Sequence, residues 1–171
     1  FHMVGRALTV KTMDGDWAKP IEAIDKAEPG DVLVIDAGSG NTAVWGELAT
    51  WSAKMKGLAG VVVDGAVRDL DDLLKMDFPV FCRNISSNAG EPKGFGEIGV
   101  EIKCGGQTVR TGDWIVGDDS GVVVIPREIA QEIANRALDV KEHEDRIREE
   151  IKRGSSLGKV LNVKKWERVI G

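Results

Sequence analysis

The chain has 171 residues, enough for one domain with a sizeable core, and a formal net charge of −5 with a pI near 5.2. That balance, without a basic run, argues against nucleic-acid binding by counterion release. No apolar run reaches membrane-spanning length and no signal peptide is visible, so a cytoplasmic, water-soluble protein is expected. Cys82 and Cys104 form no CxxC motif, which fits a reducing compartment.

Val4 to Val10 reads as an opening strand. Pro20 to Ala27 reads as a short helix with proline in its first turn, carrying Ile21 and Ile24. Pro29-Gly30 is a turn into a buried strand from Asp31 to Asp36, and Ala37 to Asn41 is a glycine loop. A helix over 46–57 follows, with Leu48, Trp51 and Met55 in its pattern and Gly57 as its stop. Gly60 to Val63 is a short interior strand, after which Gly65 is expected to permit a turn carrying Arg68 and Asp69. Successive strand–helix passages predict parallel strands joined by crossovers.

Asp69 to Met76 reads as a short acidic helix, Phe78 to Phe81 as a strand, and Ser86 to Gly96 as a loop. Glu97 to Lys103, Gln107 to Val109, Trp114 to Val116 and Val122 to Ile125 predict an antiparallel β section. From Pro126 to about Lys152 the pattern is helical, with a stripe of Ile129, Ile133, Ala137, Val140, Ile147 and Ile151. Glu142–Arg146 and Glu144–Arg148 are spaced to pair across its exposed faces. Glu144 interrupts the stripe, either snorkelling to Arg148 or facing a positive group on another subunit. Trp166 is the expected anchor of the tail from Gly154.

Three constellations carry chemical possibilities. Free amides at a helix start by Gly46 suit a carboxylate or phosphate, or simply need a cap. Arg68-Asp69 after a buried strand offers a planar fork and a carboxylate, or a structural ion pair. A lone aspartate is a thin metal site, but Mg²⁺ commonly takes only one or two carboxylates and fills the rest of its shell with water and substrate oxygens. Gly38-Ser39-Gly40-Asn41-Thr42-Ala43, with Asp64 ending the next strand, matches a dinucleotide fingerprint, although Gly46 would interrupt the required helix. The two histidines, His2 and His143, support no nucleophilic triad or histidine metal cluster. An enzyme of this composition would work through an oxygen-ligated metal and an arginine, stabilising an enolate.

Gly46-Glu47-Leu48-Ala49, then Lys56-Gly-Leu-Ala-Gly-Val-Val-Val-Asp-Gly-Ala-Val-Arg-Asp69, resembles the signature of the RraA-like family. That family includes 4-hydroxy-4-methyl-2-oxoglutarate aldolases with oxaloacetate decarboxylase activity and the regulator of ribonuclease E activity. Pro29-Gly30-Asp31-Val32 and the run from Thr111 to Pro126 support the match, which covers residues 4–158. The resemblance implies an α/β chain of the β/β/α swivelling type, with a mixed sheet and a long C-terminal helix. It implies a single RraA-like domain over 1–171, the C-terminal helix and tail being 127–171. It also implies a homotrimer or homohexamer with sites between subunits.

Carried over by position, the resemblance makes Asp69 the ligand of a divalent metal, Mg²⁺ or Mn²⁺. Arg68 meets the keto oxygen, and the backbone of Gly46, Glu47, Leu48 and Ala49 receives the pyruvoyl carboxylate. Glu47 stands where the family holds metal-bound water, and Glu144 matches an acidic residue lent by a neighbouring subunit. The implied function is a metal-dependent lyase of small 2-keto acids, without nucleic-acid or membrane partners. The alternatives are a non-catalytic regulator binding a ribonuclease and a dinucleotide-binding enzyme. The helical segment expected before the Val4 strand is not in this sequence. Trp45 and Trp51 are bulkier than the resemblance leads one to expect, which points to a different acid in the pocket.

Overall fold

The computed structural model describes residues 2–162; Trp166 and the rest of the tail beyond lie outside the described residues. The chain divides into two compact units, Phe1–Glu128 and Ile129–Gly171. The first opens with β1 (Met3–Lys11), α1 (Ala18–Lys26), β2 (Val32–Asp36), β3 (Ala43–Trp45), α2 (Glu47–Lys56) and β4 (Gly60–Val67). It continues through α3 (Leu70–Leu73), β5 (Val80–Ile85), β6 (Glu97–Ile98), β7 (Ile102–Cys104), β8 (Gln107–Val109), β9 (Trp114–Asp118) and β10 (Gly121–Ile125).

The main sheet runs β10-β9-β1-β2-β4-β3, with β5 also on β4 and β6 also on β1. β1, β2, β3, β4 and β5 pair in parallel, as the strand–helix alternation predicts. β6, β9 and β10 add antiparallel, and β7 and β8 form a separate antiparallel pair. The sheet is therefore mixed. Apart from Asp36 and Asp64, β2 and β4 carry no polar side chain, as suits strands covered on both faces. Leu33, Ile35, Val61 and Val63 pack with Ala23, Ile24, Ala49 and Ala53 of the helices. Val32, Val34 and Val62 point the other way, into a cluster with Met3, Ala7 and Ile115.

Two boundaries differ from the sequence reading in ways that matter. β4 does not end at Asp64: all eight of its residues through Val67 are buried, and Gly65 is inside the strand rather than in a turn. The reason is close approach, since a Cβ on Gly65 would lie 2.7 Å from Cβ of Ala37. β3, three residues after the glycine loop, was too short to announce itself. It also removes the dinucleotide reading's structural context, because the run after Gly40 enters a strand instead of opening a helix.

Asp16 ties a distant loop to the α1 end of the sheet. Its buried carboxylate accepts from the amides of Ala18 at 3.1 Å, Lys93 at 3.0 Å, Gly94 at 3.2 Å and Phe95 at 2.8 Å. Nearby, the Trp17 indole N–H donates to the carbonyl of Gly90 at 3.0 Å.

The second unit contains α4 (Ala130–Lys152) and α5 (Leu157–Val160), the latter capped by Ser156. No described residue of α4 is buried within this chain. Its charges pair as Lys141–Asp145 at 2.7 Å and Arg136–Glu132 at 2.7 Å, while Arg148 turns to Asp145. The expected Glu144–Arg148 pair is thus replaced. Asp145 gathers both cations, Lys141 four residues before it and Arg148 three after, and Glu144 stays exposed.

Burial pushes the Asp16 carboxyl up, but the amide donors of Ala18, Phe95, Gly94 and Lys93 outweigh it and hold it below the ordinary value of 3.8. The stability this ionisation contributes is present above about pH 4 and is lost as pH falls through the lower folded value. Asp16→Ala should cost about 3 kcal/mol at pH 7 in urea denaturation. The gap between variant and parent should narrow steadily below pH 4.

Candidate active site

The parallel pairing of β3 with β4 sets the site. Ala43 stands opposite Ala66 and Trp45 opposite Val67, so both strands deliver their next residues to one place. After β3 comes Gly46 and the first turn of α2; after β4 come Arg68 and Asp69. The amide of Arg68 donates to the carbonyl of Trp45 at 3.0 Å, closing the ladder at that point. This is the carboxyl end of parallel strands, where ligand crevices of α/β sheets form.

Asp69 has φ 60° and ψ 39°, a left-handed conformation that aspartate tolerates better than most residues but that still costs free energy. The turn swings its carboxylate back across the gap, where Oδ2 accepts from the Glu47 N–H at 3.0 Å. Asp69 therefore supplies an acceptor to the start of α2 from 22 residues away. Arg68 Nε lies 3.6 Å from the same oxygen. With both side chains more than a third exposed, this pair contributes little stability on its own.

Gly46 is extended, so its backbone conformation is open to any residue; space is the reason for glycine. An added Cβ would fall 2.5 Å from Asp69 Oδ2, 2.9 Å from Arg68 Cγ and 3.1 Å from Arg68 Nε. Inside the first turn, the Trp45 indole N–H donates to Thr50 Oγ1 at 2.8 Å and the Thr50 hydroxyl donates to the carbonyl of Gly46 at 2.9 Å. The Thr50 amide also returns to Gly46 at 3.1 Å. Glu47 N–H is engaged by Asp69, which leaves the amides of Leu48 and Ala49 at the open end of the helix. The row of bare amides expected from the sequence is shorter than anticipated for this reason.

Gly46, Leu48, Ala49 and Arg68 line one cleft of about 350 Å³, together with Trp17 and Trp45 among others. Asp69 adjoins it through Arg68 and the Glu47 amide, and the half-buried Glu47 side chain sits at the same helix start. Among the residues singled out in the sequence, these six come together. Glu144 belongs to the second unit. Trp51 is off the cleft, partly exposed, with Lys54 Nζ 5.7 Å from its ring centre. Trp17, which sequence reading did not select, lines the cleft; its position just before α1 gave no local signal.

Asp64, the acid of the dinucleotide fingerprint, is committed elsewhere. It is buried and accepts from Arg83 Nε, Ser39 Oγ at 3.0 Å and Gly105 N–H at 2.6 Å. The Arg83 guanidinium holds its carboxyl below the usual range, against the effect of burial. Cys104 is pushed up to about 11 by burial, first of all, so its thiol is no nucleophile near neutral pH.

The donor chemistry here suits a hard divalent ion. Asp69 Oδ1 accepts no hydrogen bond among the described residues, leaving lone pairs for a cation, and one carboxylate suffices when water and substrate oxygens complete the shell. No group of three or more His, Cys, Asp or Glu gathers as a metal cluster among the described residues, which is the set zinc would need.

Comparison with known proteins fits this geometry. The family model described as RraA-like (Aldolase/RraA) matches residues 1–124. The chain belongs to the RraA-like family. It is 47% identical over 161 residues to an uncharacterized protein of Methanocaldococcus jannaschii, covering 93% of this chain and 77% of the relative. It is 43% identical over 149 residues to a Halalkalibacterium halodurans protein named "Putative 4-hydroxy-4-methyl-2-oxoglutarate aldolase", covering 86% of this chain and 70% of that one. Its fold is similar to that of the RNA-processing inhibitor RraA from Thermus thermophilis, with a TM-score of 0.69 at 30% identity, over 73% of this chain and 76% of that one. The mixed α/β architecture with a long C-terminal helix agrees with this membership. Among the described residues no helix is long and apolar enough to cross a membrane.

Gly46→Ala should leave the fold in place while forcing Arg68 and Asp69 out of register. In thermal denaturation the variant should melt a few degrees below the parent, the loss expected from displacing the Glu47 N–H to Asp69 hydrogen bond.

Proposed function

We propose that this chain is a divalent-metal-dependent lyase that breaks a carbon–carbon bond of small 2-keto acids, by retro-aldol cleavage or by decarboxylation. The observation that carries this reading is the convergence of Arg68, the Asp69 carboxylate and the amides of Leu48 and Ala49 at the Gly46 helix start. The aldolase name borne by relatives in the family adds support.

A Mg²⁺ or Mn²⁺ ion held by Asp69 would supply Lewis acidity toward the keto acid's oxygens. The chain's own residues do the rest. The amides at the positive end of α2 receive the substrate carboxylate. Arg68 donates to the keto oxygen, where negative charge grows as the pyruvate enolate forms; such a donor is worth a few kcal/mol of barrier. Decarboxylation needs no base at the breaking bond. Retro-aldol cleavage does, and Glu47, whose carboxylate makes no ion pair among the described residues, holds the water that takes the hydroxyl proton.

The reading includes assembly as a homotrimer or homohexamer. Leu48, Trp51 and Met55 give α2 an exposed apolar face at 76%, 45% and 78% exposure, a surface suited to a second copy. A non-catalytic role in binding a ribonuclease is the second reading, supported by the likeness to an RNA-processing inhibitor. The two part on one assay, oxaloacetate turnover with Mg²⁺, with and without chelator.

Asp69→Ala should abolish chelator-sensitive oxaloacetate decarboxylation, and Arg68→Met should lower kcat by about a hundredfold or more. Unchanged pyruvate release by the purified Asp69 variant would refute the lyase assignment.

A further inference from the structure

The cleft beside Arg68 has few polar groups. Arg68 and the α2 start at Leu48 and Ala49 are among them, and Trp17, Ile21, Val44 and Trp45 are in its apolar lining. Two tryptophans would ordinarily bring two N–H donors to such a wall. Here both are spent inside the protein: the Trp17 indole donates to the carbonyl of Gly90 at 3.0 Å and the Trp45 indole to Thr50 Oγ1 at 2.8 Å. The rings therefore offer carbon to the cleft. Ser52 adds a hydroxyl, and among the described lining residues Arg68 is the cation.

We propose that this cleft selects 2-keto acids whose far end is hydrocarbon or aromatic over those that end in a second carboxylate. The proposal rests on the lyase reading above, in which Arg68 and the helix amides hold the 2-oxo-carboxylate end. With Arg68 so engaged, a distal carboxylate would enter an apolar wall without a partner and lose its hydration. A branched alkyl or phenyl group would instead bury its surface against the half-buried Trp17 and Ile21, with Val44 and Trp45 packed behind them. For retro-aldol cleavage this means a 4-hydroxy-2-keto acid with an apolar group on C4. Its C3–C4 bond breaks, and the C4 hydroxyl proton passes to water at Glu47. C4 leaves as an aldehyde or ketone, the bonding pair goes to C3 as the enolate, and a proton from solvent completes pyruvate. Oxaloacetate is then a short surrogate whose decarboxylation does not report the preferred side chain.

The test is binding to the full chain in the presence of Mg²⁺, with a metal-free control, read by tryptophan fluorescence and by the shift in Tm. The probes are 4-methyl-2-oxopentanoate and 2-oxoglutarate, which differ in ending in an isopropyl group or a carboxylate. The parent should bind the branched acid about tenfold more tightly or better. Ile21→Arg, and separately Ser52→Arg on the exposed side of the cleft, should erase or invert that ratio by giving the distal carboxylate a partner. Equal or tighter binding of 2-oxoglutarate by the parent, with Arg68→Met weakening both acids, overturns this inference and leaves the lyase reading standing. Binding of neither acid, or binding indifferent to Arg68→Met, overturns both.

Discussion

A single backbone-to-side-chain hydrogen bond organises the site: the Glu47 N–H to Asp69 Oδ2, at 3.0 Å. It joins the start of one helix to the turn after a different strand, and it needs three local choices to agree. Gly46 must lack a side chain, because a Cβ there would crowd that oxygen at 2.5 Å. Asp69 must adopt a left-handed backbone, which a β-branched residue would resist. The β3–β4 register must hold Trp45 opposite Val67, or the two ends would miss each other. The helix end and the carboxylate attract, since the first amides carry partial positive charge. The bond leaves Oδ1 without a hydrogen bond among the described residues, so the same side chain can cap the helix and still have lone pairs for a cation.

The surrounding packing gives this arrangement its rigidity. Trp45 is buried and locks Thr50, and Thr50 locks the carbonyl of Gly46, so the first turn of α2 is fixed from inside. β4 is buried along its whole length between two apolar clusters, which keeps its end from wandering. Loops positioned by such a scaffold are where binding groups usually lie. Here the carriers are not long loops. They are the single residue Gly46 and the pair Arg68-Asp69, each at the last rung of a parallel ladder, so the geometry of the sheet passes directly into the geometry of the site.

Much of this was legible in the sequence, for identifiable reasons. The apolar runs at 32–35 and 61–63 could only be interior strands, and the glycine at 57 ended α2 with φ 83° as its position suggested. Strand-end logic and the family signature both draw Gly46, Glu47, Arg68 and Asp69 into one neighbourhood. What escaped was the non-local part. β3 is three residues long and owes its existence to its partner, so no window of sequence could reveal it. Gly65 carries the usual mark of a turn, yet it is a close contact with Ala37 inside a strand, and only the neighbouring chain says so. Trp17 joins the cleft through its hold on Gly90, a bond across 73 residues. The pairing on α4 slipped because two cations compete for Asp145, and spacing rules do not rank competitors.

The two Arg–Asp pairs around β4 show why sequence alone left the chemical role open. Asp64 and Asp69 are five positions apart, each with an arginine in reach, and by composition they are equivalent. Burial separates them. Asp64 is inside, where an unpaired carboxylate would be costly, and it is tied by Arg83, Ser39 and Gly105 into a joint between the glycine loop, β5 and the β7–β8 turn. Filling its acceptor sites makes it stable and chemically idle. Asp69 is outside the sheet, its arginine at 3.6 Å is a loose partner, and one of its oxygens is spoken for while the other is not. A carboxylate can serve chemistry only if the fold fixes its position without satisfying all of its lone pairs. In the described structure Asp69 meets both conditions, and Asp64 meets only the first.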